Sequence, residues 1–476
     1  HNRLTRWHYG NIRSCNEIIE ILNNATFDAA TVKVQIAEAK FLRAWMYYDM
    51  AKRYGGMPLE LTAKSVDAPA EELMIPRNTL KETYDQIISD LDASIADLPG
   101  VVIYGKASKW AAFALKSRVS LYAARIAKYH PQSSNGLTSI PSGDAGAYYA
   151  KSLQAAKAVI DGGKHPLYKG GANMVDRFGE IFYKDQNSEI IFAEQYNLSL
   201  GKTHTWSGYA MPDGFKAGWG SNMHMYLASD AKFEHKDGSA GNKHHAKFNN
   251  KVWFDIEEVI YTKDPRYLAT LFTPEEVFQG REVWFHDNTV GSGSVKGRAG
   301  NVAPKRAPPR NRNRGGRLVQ KRIDPQYEFP VFGTDETPYI VFRTGEMYLN
   351  GAEAAFETGN AAQAKAMINN LRARVGMPAK NTITLDLIKN ERFVELFGEN
   401  HRYWDLRTWK DAVDELHLTP KFGTKWYRRA SDGKYKAKRW KWNFSQNTPF
   451  LEKMYWLPYG TNRLAQNPNL VENPGY

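Results

Sequence analysis

Residues 32–56, "VKVQIAEAKFLRAWMYYDMAKRYGG", decide the fold class. Ala37, Phe41, Ala44, Tyr48 and Ala51 recur three or four apart, which places one stripe of small and aromatic side chains along a helix. The stripe ends at Gly55-Gly56 with Pro58 beyond, a helix stop signal. Small residues alternating with large ones on one face indicate a helix that packs closely on another helix.

Working outward, the same pattern repeats. Residues 79–100, "TLKETYDQIISDLDASIADLPG", and 108–129, "SKWAAFALKSRVSLYAARIAKY", read as a helical hairpin around a Pro-Gly break, and 147–163, "AYYAKSLQAAKAVIDGG", is a further amphipathic segment. Helices return at 345–376, "GEMYLNGAEAAFETGNAAQAKAMINNLRARVG", broken at Gly359-Asn360, with Leu349, Ala352 and Phe356 facing Ala364, Met367, Ile368 and Leu371. These pairs resemble tetratricopeptide units, each of which needs stacked neighbours to bury its stripe, so the early and late pairs are expected to pack together.

Between residues 165 and 338 the texture changes to glycines, aromatics and short β-like runs such as "SEIIFAEQY" and "KVWFDIEEVIY". The expected organisation is N-terminal helix pairs over 1–164, a loop-rich, partly β insertion over 165–338, C-terminal helix pairs with a charged motif over 339–415, and a basic aromatic loop and extension over 416–476. All four are expected to form one unit of mostly α class.

The 476 residues carry a net charge of +13 and are 42% hydrophobic, enough for a sizeable core. The charge is local. Residues 288–323 hold ten basic residues and no acidic one, including "KRAPPRNRNRGGRLVQKR" at 305–322, and residues 421–441 hold nine basic residues against Asp432 alone. Removing the +10 and +8 of these segments leaves −5 for the rest, so no extended basic face for nucleic acid is expected. No run is apolar over the roughly 18 residues a membrane helix needs. The chain opens on "HNRLTRWHYG", without Met or an apolar signal core, and is read as processed or truncated. Its single cysteine, Cys15, excludes an intrachain disulfide and is read as a buried helical thiol.

Several stretches approach a chemical motif. "GVVIYGKA" at 100–107 nearly spells a phosphate loop, but Ala107 stands where Ser or Thr would hold magnesium, so it reads as an interhelical turn. "EHKDGSAGNKHH" gathers His235, Asp237, His244 and His245 without a metal-ligand spacing, and neither metal nor cofactor is expected. In "ERFVELFGENHRYWDLRTW", residues 391–409, Glu391 and Glu395 lie one helical turn apart, the spacing of a repulsive pair. A carboxylate pair for glycoside hydrolysis is one reading. The favoured one is a structural ion-pair cluster of Glu391, Arg392, Glu395, Glu399, Arg402, Asp405 and Arg407, with Arg392, Arg402 and Arg407 as the compensating cations and no proton donor.

Aromatics carry a separate signal: Trp206 and Tyr209 in "THTWSGYAMPDG", Trp219 in "KAGWGSN" and Trp284 in "REVWFHD" sit among Gly, Ser, Asn and Asp. Rings in such company suit stacking on sugar faces or on bases; any single one reads as packing under a loop, and the set as a binding surface. Arg310, Arg312 and Arg314 are candidate contacts to an anionic ligand, with docking to a partner or plain solvation as alternatives.

Six stretches, "AEAKFLRAWMYYDMAKRYGGMPL", "GKASKWAAFALKSRVSLYAAR", "YIVFRTGEMYLNGAEAAFETGN", "INNLRARVG", "ERFVELFGENHRYWDLRTW" and "WLPYGTNRLAQNPNLVENPGY", resemble in this order the signature segments of the SusD/RagB family. The resemblance covers the chain apart from the middle insertion. It implies four tetratricopeptide-like helix pairs, a lipid-anchored position on a Gram-negative outer membrane, and a role as lid on a SusC-like TonB-dependent transporter. It also implies capture of oligosaccharides, or of peptides in some members, without catalysis; the arginine-rich stretch leaves open an anionic oligosaccharide as the ligand. A helical glycoside hydrolase and a nucleic-acid-binding repeat are the rival classes. In the charged motif Asn400 stands where the family usually has Gly, two residues before the arginine.

Overall fold

A computed structural model of the chain describes residues 4–65, 67–212, 215, 223–290, 301–302, 316–327, 331–441 and 448–476. Helix α1 spans Tyr9–Asn23 and α2 spans Ala29–Tyr54. Asp28 caps α2 by accepting from the Thr31 amide at 2.9 Å, and Lys52 and Arg53 lie in its last turn, where cations favour the helix dipole. Gly55, at φ +85°, ends it; a Cβ there would lie 2.3 Å from the Leu137 carbonyl oxygen. Helix α3, Leu80–Asp97, opens on a capping box between Thr79 and Glu82, and α4, Lys109–Tyr129, on Ser108.

Each helix packs on the next: α1 on α2, α2 on α3, α3 on α4, and α4 on α5, Ala145–Asp161. The array then continues across the insertion, because α5 packs directly on α6, Thr344–Glu357, which pairs with α7, Ala361–Arg374. Small residues make this possible. Ala111, Ala112, Ala123 and Ala124 of α4 are wholly buried, and a Cβ on Gly351 would meet the Met367 sulfur at 2.8 Å. Helix α8, Leu385–Glu395, lies against α6, and α9, Arg402–Thr408, against α4. The C-terminal segment returns to the first pair, where the Tyr459 hydroxyl donates to Gly56 O at 2.7 Å and Arg77 Nη1 to Asn473 Oδ1 at 3.0 Å. Cys15 is buried on α1. No helix among the described residues is long and apolar enough to cross a membrane.

Strand β1, Ile190–Glu194, pairs antiparallel with β3, Tyr339–Arg343, so the two ends of the insertion meet on the helical array and bury Ile191 and Phe342 in its core. A second core lies outside the array. It joins Met211, Phe233, Phe248, Ile260 and Phe272 of the insertion to Trp426, Tyr435 and Ala437 near the C-terminus.

Two expectations are corrected here. Residues 421–441 are not a loop: β4, Phe422–Arg429, and β5, Tyr435–Lys441, form an antiparallel hairpin, and β4 also pairs in parallel with β2, His286–Val290. The β-like run "KVWFDIEEVIY" ends in a π-helical turn over Glu257–Tyr261, because its buried side chains Ile256, Val259 and Ile260 recur three and four apart rather than two.

Candidate functional site

The stretch 197–210 builds a rigid projection from local bonds. Asn197 and Lys202 exchange backbone hydrogen bonds of 2.7 and 3.0 Å around Gly201, leaving Leu198 and Leu200 exposed at the tip. The chain then zips onto the 331–337 loop. His204 and Asp335 exchange backbone bonds of 3.1 and 3.2 Å, Thr203 Oγ1 donates to Gly333 O at 2.7 Å, and the Asp335 carboxylate receives the Ser207 amide at 2.8 Å at the start of the short helix Trp206–Ala210. Two loops thus hold each other in place. Tyr209 meets Phe332 edge-on at 5.1 Å and Tyr196 meets His204 at 4.6 Å, while Val331 and Phe332 stay exposed beside them. Both loops of this well-bonded pair thus carry exposed apolar side chains, Leu198 and Leu200 on one and Val331 and Phe332 on the other.

Beneath the projection lies Arg322. Its guanidinium sits between the rings of Trp206, 5.2 Å away, and Tyr339, 4.8 Å away. Trp206 turns its indole N–H inward, to Lys321 O at 2.8 Å, and so presents its face. Arg322 adopts φ +70°, a left-handed conformation that costs an L residue about 1–2 kcal/mol. Among the described residues its buried Nε has no hydrogen-bond partner, and burial draws the guanidinium below its usual range against the pull of Tyr339 and Glu399. Strain kept at a polar side chain in a cleft is characteristic of a site that binds. The adjoining cleft, of about 210 Å³, is lined among others by Tyr183, Leu268, Glu276, Gln320 and Arg322. Burial pushes the Glu276 carboxyl up to about 7, although it accepts from the Thr273 amide at 2.9 Å and from Gln320 Nε2 at 2.8 Å. Trp206 and Tyr339 are outside the lining of this cleft, which shares Arg322 with their stack; its own Tyr183 ring, Gln320 amide and Glu276 carboxyl are groups that can hold a polyhydroxylated ligand by stacking and hydrogen bonds.

The carboxylate pair is placed elsewhere. Glu391 and Glu395 are buried on α8 in a network that rivets the insertion to the helices. Arg266 from the insertion reaches Glu391 at 2.5 Å and Glu395 at 3.0 Å; Arg372 reaches Glu391 at 3.1 Å; Arg343 reaches Glu395 at 2.8 Å, Glu189 at 2.8 Å and Glu399 at 2.7 Å; and Arg374 joins Glu395 to Glu189. Burial alone would raise the Glu395 carboxyl, but Arg374, Arg343 and Arg266 outweigh it and hold the group well below its ordinary range. A carboxylate so held is no proton donor.

The compensating cations differ from those expected. Arg392 binds Asp405 at 2.9 Å and Asn350 at 2.7 Å; Arg402 is partly exposed, 3.5 Å from Glu415; and Arg407 donates to the Tyr455 carbonyl and stacks on Trp404. Among the described residues no carboxylate lies within ion-pair distance of Arg407, and burial lowers its guanidinium to about 10. The turn before Arg402 is solved by Asn400 at φ +64°, a left-handed position that asparagine tolerates better than most residues other than glycine.

Of the aromatic candidates, Trp206 and Tyr209 lie together at the two-loop projection, and Trp284 lies on the strand Arg281–Trp284, apart from them in sequence. Trp219, Arg310, Arg312 and Arg314 lie outside the described residues. The end of the arginine-rich stretch is not a surface feature. Arg317 is buried, 2.9 Å from Asp230, and Lys321 is buried, 2.7 Å from Glu399 and also bonded to the Glu395 and Phe397 carbonyls. His245 pairs with Asp230 at 2.6 Å and His235 Nδ1 with Thr262 at 2.8 Å, and among the described residues no three His, Cys, Asp or Glu side chains are grouped to hold a metal. Sequence reading missed Arg322, Tyr339 and Phe332; only the strained backbone and the ring stacking single them out.

Residues 188–476 match the profile described as the SusD family, and residues 2–121 match one described as starch-binding, associating with the outer membrane. The chain is 24% identical to a SusD-like protein of Bacteroides ovatus over 98% of its own length and 79% of that protein's. It superposes on the crystal structure of a SusD-like protein from Bacteroides fragilis with a TM-score of 0.76 and 26% identity, covering 98% of this chain and 85% of that one. A SusD-like carbohydrate-binding protein, also from Bacteroides fragilis, gives a TM-score of 0.73 at 20% identity, with 97% and 84% covered.

Proposed function

The chain belongs to the SusD family, and on that premise we propose that it captures oligosaccharides at the outer cell surface and delivers them, as a lid, to a SusC-like TonB-dependent transporter. The starch-binding, outer-membrane description of the profile over residues 2–121 and the carbohydrate-binding relative of the same fold support a saccharide ligand. The observation that carries the reading is the stack of Trp206, Arg322 and Tyr339 under a two-loop projection, a preformed ring-and-donor surface on a rigid helical frame. Anchoring would come from a lipid outside the described residues. Binding is favoured over hydrolysis because the acids with glycosidase-like spacing, Glu391 and Glu395, are neutralised by Arg266, Arg343, Arg372 and Arg374.

A screen of the purified chain against glycan and peptide libraries, followed by chromatography of each bound compound after incubation, tests the proposal. Retention of intact oligosaccharides is the expected result. Hits confined to peptides, or cleaved glycans, would overturn it.

A further inference from the structure

A cavity of about 350 Å³ opens between α2, β3 and the turn 399–401, and it shares no lining residue with the cleft beside Arg322. Arg6 and Asn400 are exposed at it, while Tyr48, Arg118 and Trp404 are buried around it. Its two lining acids are already engaged. Asp49 is shared by His8 at 3.0 Å, Lys52 at 2.9 Å and Arg53 at 2.5 Å, and Glu399 by Arg343 and Lys321, each at 2.7 Å.

The donors around the same space are left over. Arg118 donates from Nε to Glu346 at 2.7 Å and from Nη2 to the Val341 carbonyl at 2.7 Å, and its Nη1 makes no hydrogen bond to any described residue. His401 accepts at Nδ1 from Arg392 at 3.4 Å, and burial together with the charges of Arg118, Arg392, Arg343 and Lys52 holds its imidazole well below the ordinary range. The ring is therefore neutral, with its one proton on Nε2. Lys52 is placed by the Trp404 and Tyr48 rings, 4.8 and 5.0 Å from its ammonium, and of its three N–H groups one is directed at Asp49. Burial draws that ammonium down to about 8 in spite of Asp49, and Arg53 and Arg118 add to the fall. Water can satisfy these N–H groups one by one, but a single oxyanion satisfies them together and offsets the repulsion among Lys52, Arg53 and Arg118.

We propose that this cavity binds an oxyanion carried on a sugar, a uronate carboxylate or a sulfate ester, held by Lys52, Arg118 Nη1 and His401 Nε2. The oxyanion stands on these residues alone. The sugar as its carrier rests on the saccharide reading above, and Tyr339, over whose ring Arg322 lies, lines this cavity as well.

The test titrates the full chain by calorimetry with glucuronate, glucose 6-sulfate, glucose and inorganic sulfate, at low and physiological ionic strength. An acidic sugar is expected to bind about tenfold or more tighter than glucose or inorganic sulfate. Binding of glucuronate alone would identify carboxylate as the recognised group, and of glucose 6-sulfate alone, sulfate; either supports the proposal. Lys52→Gln, which leaves Asp49 to Arg53 and His8, is expected to weaken that binding about tenfold or more, and His401→Phe severalfold, with the Tm of each variant reporting that it is folded. A crystal soaked with the bound sugar reads the same claim without a variant: its oxyanion should lie within hydrogen-bond distance of Lys52, Arg118 and His401. Failure of both acidic sugars to bind, glucose or inorganic sulfate binding as tightly, undiminished binding in both variants, or an oxyanion held elsewhere would overturn it. An acidic sugar bound here while the library screen returns no oligosaccharide would overturn the capture proposal alone and leave this cavity standing.

Discussion

The buried charge network yields the sharpest test of whether the motif around Glu391 and Glu395 is structural. Glu395→Gln keeps the shape and removes the charge that Arg266, Arg343 and Arg374 share. Breaking a buried ion-pair cluster by removing one partner costs about 3–5 kcal/mol, because the cations left behind remain desolvated. At about 2.1 cal/mol/K of unfolding entropy per residue, 476 residues give about 1 kcal/mol/K, so Tm should fall by about 3–5 °C. Urea and thermal unfolding followed by circular dichroism measure it. The pH dependence adds a check. The Glu395 carboxyl ionises well below the ordinary value of 4.5 in the folded protein, so its contribution is present above that pH and is lost as the pH falls through its folded value. The wild-type advantage over Glu395→Gln should therefore shrink under acid. Unchanged stability at neutral pH, together with loss of a glycan-cleaving activity that the wild type possesses, would refute the structural assignment.

Three further outcomes are expected. Trp206→Ala should weaken binding of an oligosaccharide found in the library screen by about twofold to tenfold, the worth of one stacking ring, as read by calorimetry. Asn400→Ala should destabilise by about 1 kcal/mol, whereas Asn400→Gly should be near neutral, because only the alanine strains the φ of +64°; urea midpoints separate the two. Glu276→Gln should gain stability over the wild type between pH 5 and 8. The unfolded chain releases the Glu276 proton near 4.5 and the folded chain near 7, so wild-type stability falls as pH rises through that window, and a melting series across it tests the sign.

The helical frame was legible because its stripes at 37, 41, 44, 48 and 51 repeat at helical spacing and end on Gly55 and Pro58. The hairpin at 422–441 also left a signal: Tyr435 and Ala437 point inward while Lys436 and Lys438 point outward, a period of two that the density of charge obscured. The partners of Glu391 and Glu395 were not legible. Arg266, Arg343, Arg372 and Arg374 lie on three other segments, and only the packed fold brings them to one place, while the nearby Arg402 and Arg407 point elsewhere. The binding surface shows the same limit. Trp206 and Tyr209 stood out by composition, but Arg322 lay hidden at the end of an arginine-rich run whose Arg317 and Lys321 are buried ion-pair partners.

A crystal structure of the chain with an oligosaccharide found in the library screen tests the central claim most directly. The account predicts an intact sugar chain over the faces of Trp206 and Tyr339, hydrogen-bonded to Arg322 and flanked by Tyr209 and Phe332. A ligand held elsewhere, with this surface left open to water, would contradict it.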